Sequence, residues 1–150
     1  PNFTFGFNGA ITKTKVDKLL PIDTTLLPGF GSFTEASVNK LTPTFSGTVS
    51  ASWTLPVRPA DGDLVLNSDL YMTDDYGGQQ GFQLKGYKLA NARIDWQGIA
   101  GSGLDLGVYV KNLFNEQYES GVSILLPNQP FNSLYIGAPR TWGIEAKYSF

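Results

Sequence analysis

Seven ionisable side chains share one side of the chain's alternating segments: Asp69, Arg93, Asp95, Asp105, Lys111, Glu145 and Lys147. Each sits where apolar and polar residues take turns, and each falls on the polar parity. Carboxylates such as Asp95 and Glu145 are the raw material of acid–base chemistry, but nothing in their spacing poises one against the other. The 150 residues include no His and no Cys, which removes Ser/His/Asp and Cys/His nucleophilic sets, disulfides and the commonest metal ligand. Gly98 to Gly103 joins two strand-like segments and opens no helix, so it is no phosphate cradle. These observations predict a chain that is not an enzyme and carries no cofactor or metal. The seven charges then line a polar path or, more plainly, form a wall of solvated and mutually paired groups.

Two further sets have binding potential. Asp69, Asp74 and Asp75 offer oxygens that a hard cation would accept, but their spacing fits no calcium loop, and a solvated loop is the simpler reading. Tyr76, Phe131 and Tyr135 lie in long connections, where they would stack on a small-molecule ligand or anchor the chain at an interface. The net charge of −2, with only 16% charged residues, gives no reason to expect nucleic acid as a partner.

The elements that must position these residues are strands. About six segments alternate with period two: Asn2 to Lys15, Pro43 to Val57, Asp63 to Thr73, Tyr87 to Gln97, Leu104 to Tyr118, and Thr141 to Phe150. Asn112 breaks the apolar parity of the fifth and predicts an exit or a bulge there. The connections run long, short, long, short, long. The short ones, Arg58 to Gly62 and Gly98 to Gly103, lie at the same end as Phe150. The mean hydropathy of −0.11 does not separate a soluble sheet from a membrane barrel, because in a barrel only alternate residues meet lipid.

Three features favour the apolar face pointing outward to lipid. The polar face mixes small hydroxyls with charges of both signs, which suits a wet interior. Aromatics gather near segment ends (Phe3, Trp53, Trp96, Phe114, Tyr118, Trp142, Tyr148, Phe150), as interfacial girdles do. The segments also exceed the five or six residues usual in soluble sheets. The fold class expected is all-β, a transmembrane antiparallel β-barrel. The chain opens at Pro1 directly into strand-like sequence, which predicts a segment of a longer polypeptide.

Val110-Lys-Asn-Leu-Phe-Asn-Glu-Gln-Tyr118, followed after a loop by Gly137-Ala-Pro-Arg-Thr-Trp-Gly-Ile-Glu-Ala-Lys-Tyr-Ser-Phe150, resembles the C-terminal end of TonB-dependent outer-membrane receptors. In that family a V-x-N-L-F-x-x-x-Y strand precedes G-x-P-R-T-x-G, and the chain ends on Phe. Gly86 to Trp96 resembles the family's strand just upstream. The likeness is specific from Gly86 to Phe150 and merely compatible before it. It implies that residues 1–150 form about the last six strands of a 22-stranded barrel, with the N-terminal plug domain and the TonB-contacting segment lying elsewhere in the full-length chain.

The resemblance also implies a bacterial outer-membrane location with the C-terminus in the periplasm. Its partners would be lipid, the plug domain of the same chain, the TonB system, the barrel-assembly machinery and a scarce small-molecule ligand of iron-siderophore, cobalamin or glycan class. Asp69, Arg93, Asp95, Asp105, Lys111, Glu145 and Lys147 would face lumen and plug. Trp142, Tyr148 and Phe150 would mark the membrane interface, with Phe150 also part of the assembly signal. Two other readings of the strand pattern stay open: a passive pore or adhesin barrel, and a soluble β-sandwich binding module with its apolar face inward.

Overall fold

The computed structural model describes residues 2–15, 17, 42–77, 83–124 and 132–150. The strands are β1 (Phe3–Ile11), β2 (Phe45–Thr54), β3 (Asp63–Thr73), β4 (Tyr76–Gly77), β5 (Gln83–Leu84), β6 (Lys88–Gln97), β7 (Leu104–Lys111), β8 (Glu119–Ile124), β9 (Asn132–Ile136) and β10 (Thr141–Tyr148), the six long ones coinciding with the alternating segments. Six of them form one antiparallel sheet in the order β1-β2-β3-β6-β7-β10. The small ladders β4-β5 and β8-β9 are hairpins within two of the long connections. The fold is therefore an all-β antiparallel meander, and its six principal strands are the six expected from alternation.

Register keeps the two parities apart across the whole sheet. One row runs Phe3, Trp53, Leu66, Ile94, Val108, Ile144, and another runs Phe5, Ala51, Ser68, Ala92, Val110, Trp142. On the reverse face one row runs Thr4, Ser52, Asn67, Arg93, Tyr109, Gly143. A slip of one residue in any pairing would mix the faces. Lys88, opposite Met72 at the first position of β6, is a charged residue on the apolar parity, and it sits at the sheet's end.

The two faces differ in exposure. Side chains from β1 (Phe3, Phe5, Phe7) and β10 (Trp142, Ile144) stand 63–74% exposed, and those in the middle of the sheet (Leu66, Ile94, Val108) remain 36–46% exposed. The polar face is more sheltered. It lines a concavity of about 610 Å³ bounded by residues of all six strands, from Thr4 and Gly6 on β1 to Glu145 on β10, so the sheet curls around its polar side. Among the described residues Leu84 is the one buried hydrophobic side chain. It lies in β5, which packs against β8.

Two expected boundaries change most, and the second segment also shortens, to Phe45–Thr54. The fifth segment stops at Lys111 instead of Tyr118, because Asn112 adopts φ 52° and Asn115 φ 55°, conformations that turn a strand aside. Regular pairing in the first ends at Ile11 instead of Lys15, although Thr12 N–H still bonds Thr44 O (2.9 Å) and the Thr14 and Thr42 hydroxyls meet at 3.2 Å. The β8-β9 hairpin occupies the stretch read as a loop. Tyr118 belongs to a packed cluster at the sheet's end and to no outward girdle.

Candidate functional site

The polar face is built by strands whose partners leave room for long side chains. Asp95, Gly107 and Glu145 are register neighbours on β6, β7 and β10. Because Gly107 has no Cβ, the Arg93 guanidinium lies over it; an added Cβ would collide with Arg93 Nη2 and Asp95 Oδ1. In that space Arg93 Nε donates to Asp95 Oδ1 (2.7 Å) and Nη1 to Glu145 Oε2 (2.6 Å). Asn67 donates to the other Asp95 oxygen at 3.4 Å. One guanidinium thus ties β6 to β10 across the intervening β7, and its fork geometry suits two carboxylates.

The remaining charges have separate settings. Asp69 accepts from Asn91 Nδ2 (2.8 Å), while Asn91 Oδ1 accepts the Asn112 backbone N–H (3.0 Å). Asp105 accepts the Gly98 N–H (2.8 Å) and so fixes a short turn. Lys147 is its register partner on β10. Lys111 Nζ lies 5.6 Å from the Tyr109 ring centroid, and that ring covers Gly143, where a Cβ would strike it. All seven charges singled out from the sequence share this face. Arg93, Asp95 and Glu145 form one cluster, and the other four are spread around it. Together with Thr4, Ser50 and Ser52 they make a hydrogen-bonding surface.

A second grouping stands where the long connections leave the sheet. Tyr87, just before β6, lies 5.9 Å from Tyr71 of β3 and 4.4 Å from Tyr118, ring centre to ring centre. Tyr118 also packs on Gly137, whose N–H bonds Tyr118 O (2.8 Å). Burial, then the neighbouring Tyr71, raises the phenol pKa of both Tyr76 and Tyr87 above the ordinary value of 10.0. Of the ligand-loop candidates, Tyr76 sits beside this cluster, Tyr135 stands 56% exposed on β9, and Phe131 lies outside the described residues. Sequence reasoning missed Tyr71, Tyr87 and Tyr118 as a group. The available signal was that Tyr71 lies near the end of a strand on the polar parity.

The Asn-Leu-Phe-Asn turn has a structural role that its spacing does not announce. Asn112 is 5% exposed. Its Nδ2 donates to Glu116 O (2.9 Å) and Ala138 O (3.1 Å), and its Oδ1 accepts Glu116 N–H (2.8 Å). Asn115 Oδ1 accepts Arg140 N–H (3.0 Å). Both asparagines thereby clamp the entry to β10. Asp75, one of the calcium candidates, accepts the Gly86 N–H (2.6 Å) and closes the β3-to-β6 connection.

Of the interface candidates, Trp142 and Tyr148 project from the apolar face, and the Phe150 ring meets Tyr148 edge-on at 5.4 Å. No protein-family model, curated protein or solved structure matches the chain.

Proposed function

We propose that this chain is a lipid-facing wall section of an outer-membrane β-barrel, the C-terminal part of a TonB-dependent receptor, with its polar face turned to the lumen. The observation that carries the reading is the apolar face, in phase over six strands and uncovered among the described residues. In a sandwich that face would pack on a second sheet about 10 Å away; in lipid it needs no partner. A Lys or Arg at the mid-membrane of a lipid-facing position costs about 2–4 kcal/mol, which explains why that parity is charge-free except at its end. Curvature around the polar side is the sense a barrel requires.

The terminal motif takes the proposal further, to energised uptake. Loops at the long-connection end capture a scarce solute, and a plug elsewhere in the full-length protein, moved by the inner-membrane TonB system, opens a path along the charged wall. Within that scheme the Arg93, Asp95 and Glu145 cluster offers hydrogen-bonding groups to the plug or the solute. The short turns and Phe150 would lie in the periplasm.

The test is spin-label accessibility on the full-length protein in bilayers. Residues 1–150 contain no Cys, so once any thiol elsewhere in the full-length protein is replaced, nitroxides on single cysteines at Ile144 and Glu145, and at Val108 and Tyr109, report on the two faces. Ile144 and Val108 should be relaxed by apolar oxygen, and Glu145 and Tyr109 by a water-soluble nickel chelate. Labels at Ile144 and Val108 shielded from both reagents would show a protein core around the apolar face and end the membrane reading.

A further inference from the structure

The two ends of the apolar face are chemically unlike. At the short-turn end its side chains are Phe3, Trp53, Trp96 and Tyr148, with Phe150 beyond. At the long-connection end the same parity carries Lys13 and Lys15 beyond Ile11, Lys88 opening β6, and Arg140 one residue before β10. The Thr12–Thr44 and Thr14–Thr42 contacts continue the β1-β2 register outward, which keeps Lys13 and Lys15 on the apolar side. All four are exposed. Two acids join them: Asp17 pairs with Lys15 at 3.1 Å, and Asp74 extends β3 on the same parity. On that parity, among the described residues, the cations outnumber the acids four to two. At the short-turn end Arg58 is held in its own turn by Asp63 (2.8 Å) and Asp61 O (3.2 Å), and Lys147 lies on the polar face.

We infer that Lys13, Lys15, Lys88 and Arg140 form a belt that binds phosphate-bearing lipid headgroups in the leaflet next to the long connections. The inference rests on the lipid-facing reading of the apolar side. With strands about 4.8 Å apart, β1 and β6 stand about 14 Å from each other and β6 and β10 about 10 Å, so the belt contacts several phosphates across the wall. Long side chains at the edge of an apolar band place their stems on acyl chain and their charges at headgroup level. Each basic group near an anionic surface contributes on the scale of a few-fold in association, screened by salt.

The full-length protein in phosphatidylcholine bilayers, probed with spin-labelled lipids, tests this. Spin-labelled phosphatidic acid should be enriched over spin-labelled phosphatidylcholine in the motionally restricted shell by about five-fold, the factor expected for one interfacial cation. The quadruple variant K13Q/K15Q/K88Q/R140Q should reduce that preference to near unity while keeping the amount of restricted lipid. Lys147→Gln, on the other face and at the other end, should leave the preference intact. Restricted lipid without selectivity in the unmodified protein overturns the belt and spares the lipid-facing reading. A preference that survives the quadruple variant, or that Lys147→Gln abolishes equally, also overturns the belt. Absence of any restricted lipid overturns both.

Discussion

At the level of single residues, Asn112 does the most for the least visible reason. Its left-handed backbone ends β7, and its amide group joins the turn to Ala138, 26 residues on and just before β10. Asn tolerates φ above zero better than other residues bearing a Cβ, because its short polar side chain bonds locally. Removing that buried side chain leaves the Ala138 and Glu116 carbonyls and the Glu116 N–H without these partners. Asn112→Ala should therefore lower stability by about 2–4 kcal/mol, from lost hydrogen bonds and backbone strain together. Asn112→Gly should recover only the strain, on the order of 1 kcal/mol. Urea unfolding of the full-length protein in micelles reads both, and a Gly variant as stable as the original would show that the amide bonds contribute nothing. Gly107 works in the opposite sense, by leaving out atoms so that Arg93 can reach Glu145.

At the level of elements, alternation made the six long strands legible and placed every charged candidate on its face, because period two is a direct consequence of how a strand buries or exposes side chains. What stayed hidden was local. Asn112 marked where β7 would break but not the left-handed turn that ends it, a conformation Asn permits but does not force, and β4, β5, β8 and β9 are too short to impose a period. The tyrosine cluster was invisible because its members come from three separate segments, Tyr71 on β3, Tyr87 before β6 and Tyr118 before β8, with Tyr76 of β4 beside them. It ties the long connections to the sheet, and it should have a pH signature. Burial raises the phenol pKa of Tyr76 and Tyr87, so the folded state holds those protons more tightly than the open chain does. Their stabilising contribution is whole below the unfolded value of about 10 and is lost as pH climbs through the higher folded value. In an alkaline titration followed by phenolate absorbance, a late-rising component should vanish in a Tyr76→Phe/Tyr87→Phe variant. Its persistence would separate those two phenols from the cluster's burial.

At the level of the molecule, the described residues form a sheet with almost nothing apolar hidden. Ordering a chain costs about 100–200 kcal/mol per 100 residues in conformational entropy, and backbone pairing alone does not offset that in water. The missing term must come from whatever covers Phe3, Phe5, Phe7, Trp142, Ile144 and their neighbours. Contiguous apolar patches on soluble monomers seldom exceed a few hundred Å², and a face continuous over six strands is of another kind. The edges press the same point, because β1 and β10 each leave one side without a strand partner in this sheet, an invitation to further pairing. Residues 1–150 expressed alone in detergent-free buffer should therefore self-associate, eluting well ahead of a monomer on gel filtration, and should disperse with retained β circular dichroism when micelles supply an apolar surface. The contrast between the two solvents is the informative quantity, since an unfolded chain would gain no ordered sheet from micelles. A sharp monomer in plain buffer, with well-dispersed side-chain NMR signals, would mean that these 150 residues cover their own apolar face, and the sheet would then be half of a soluble core.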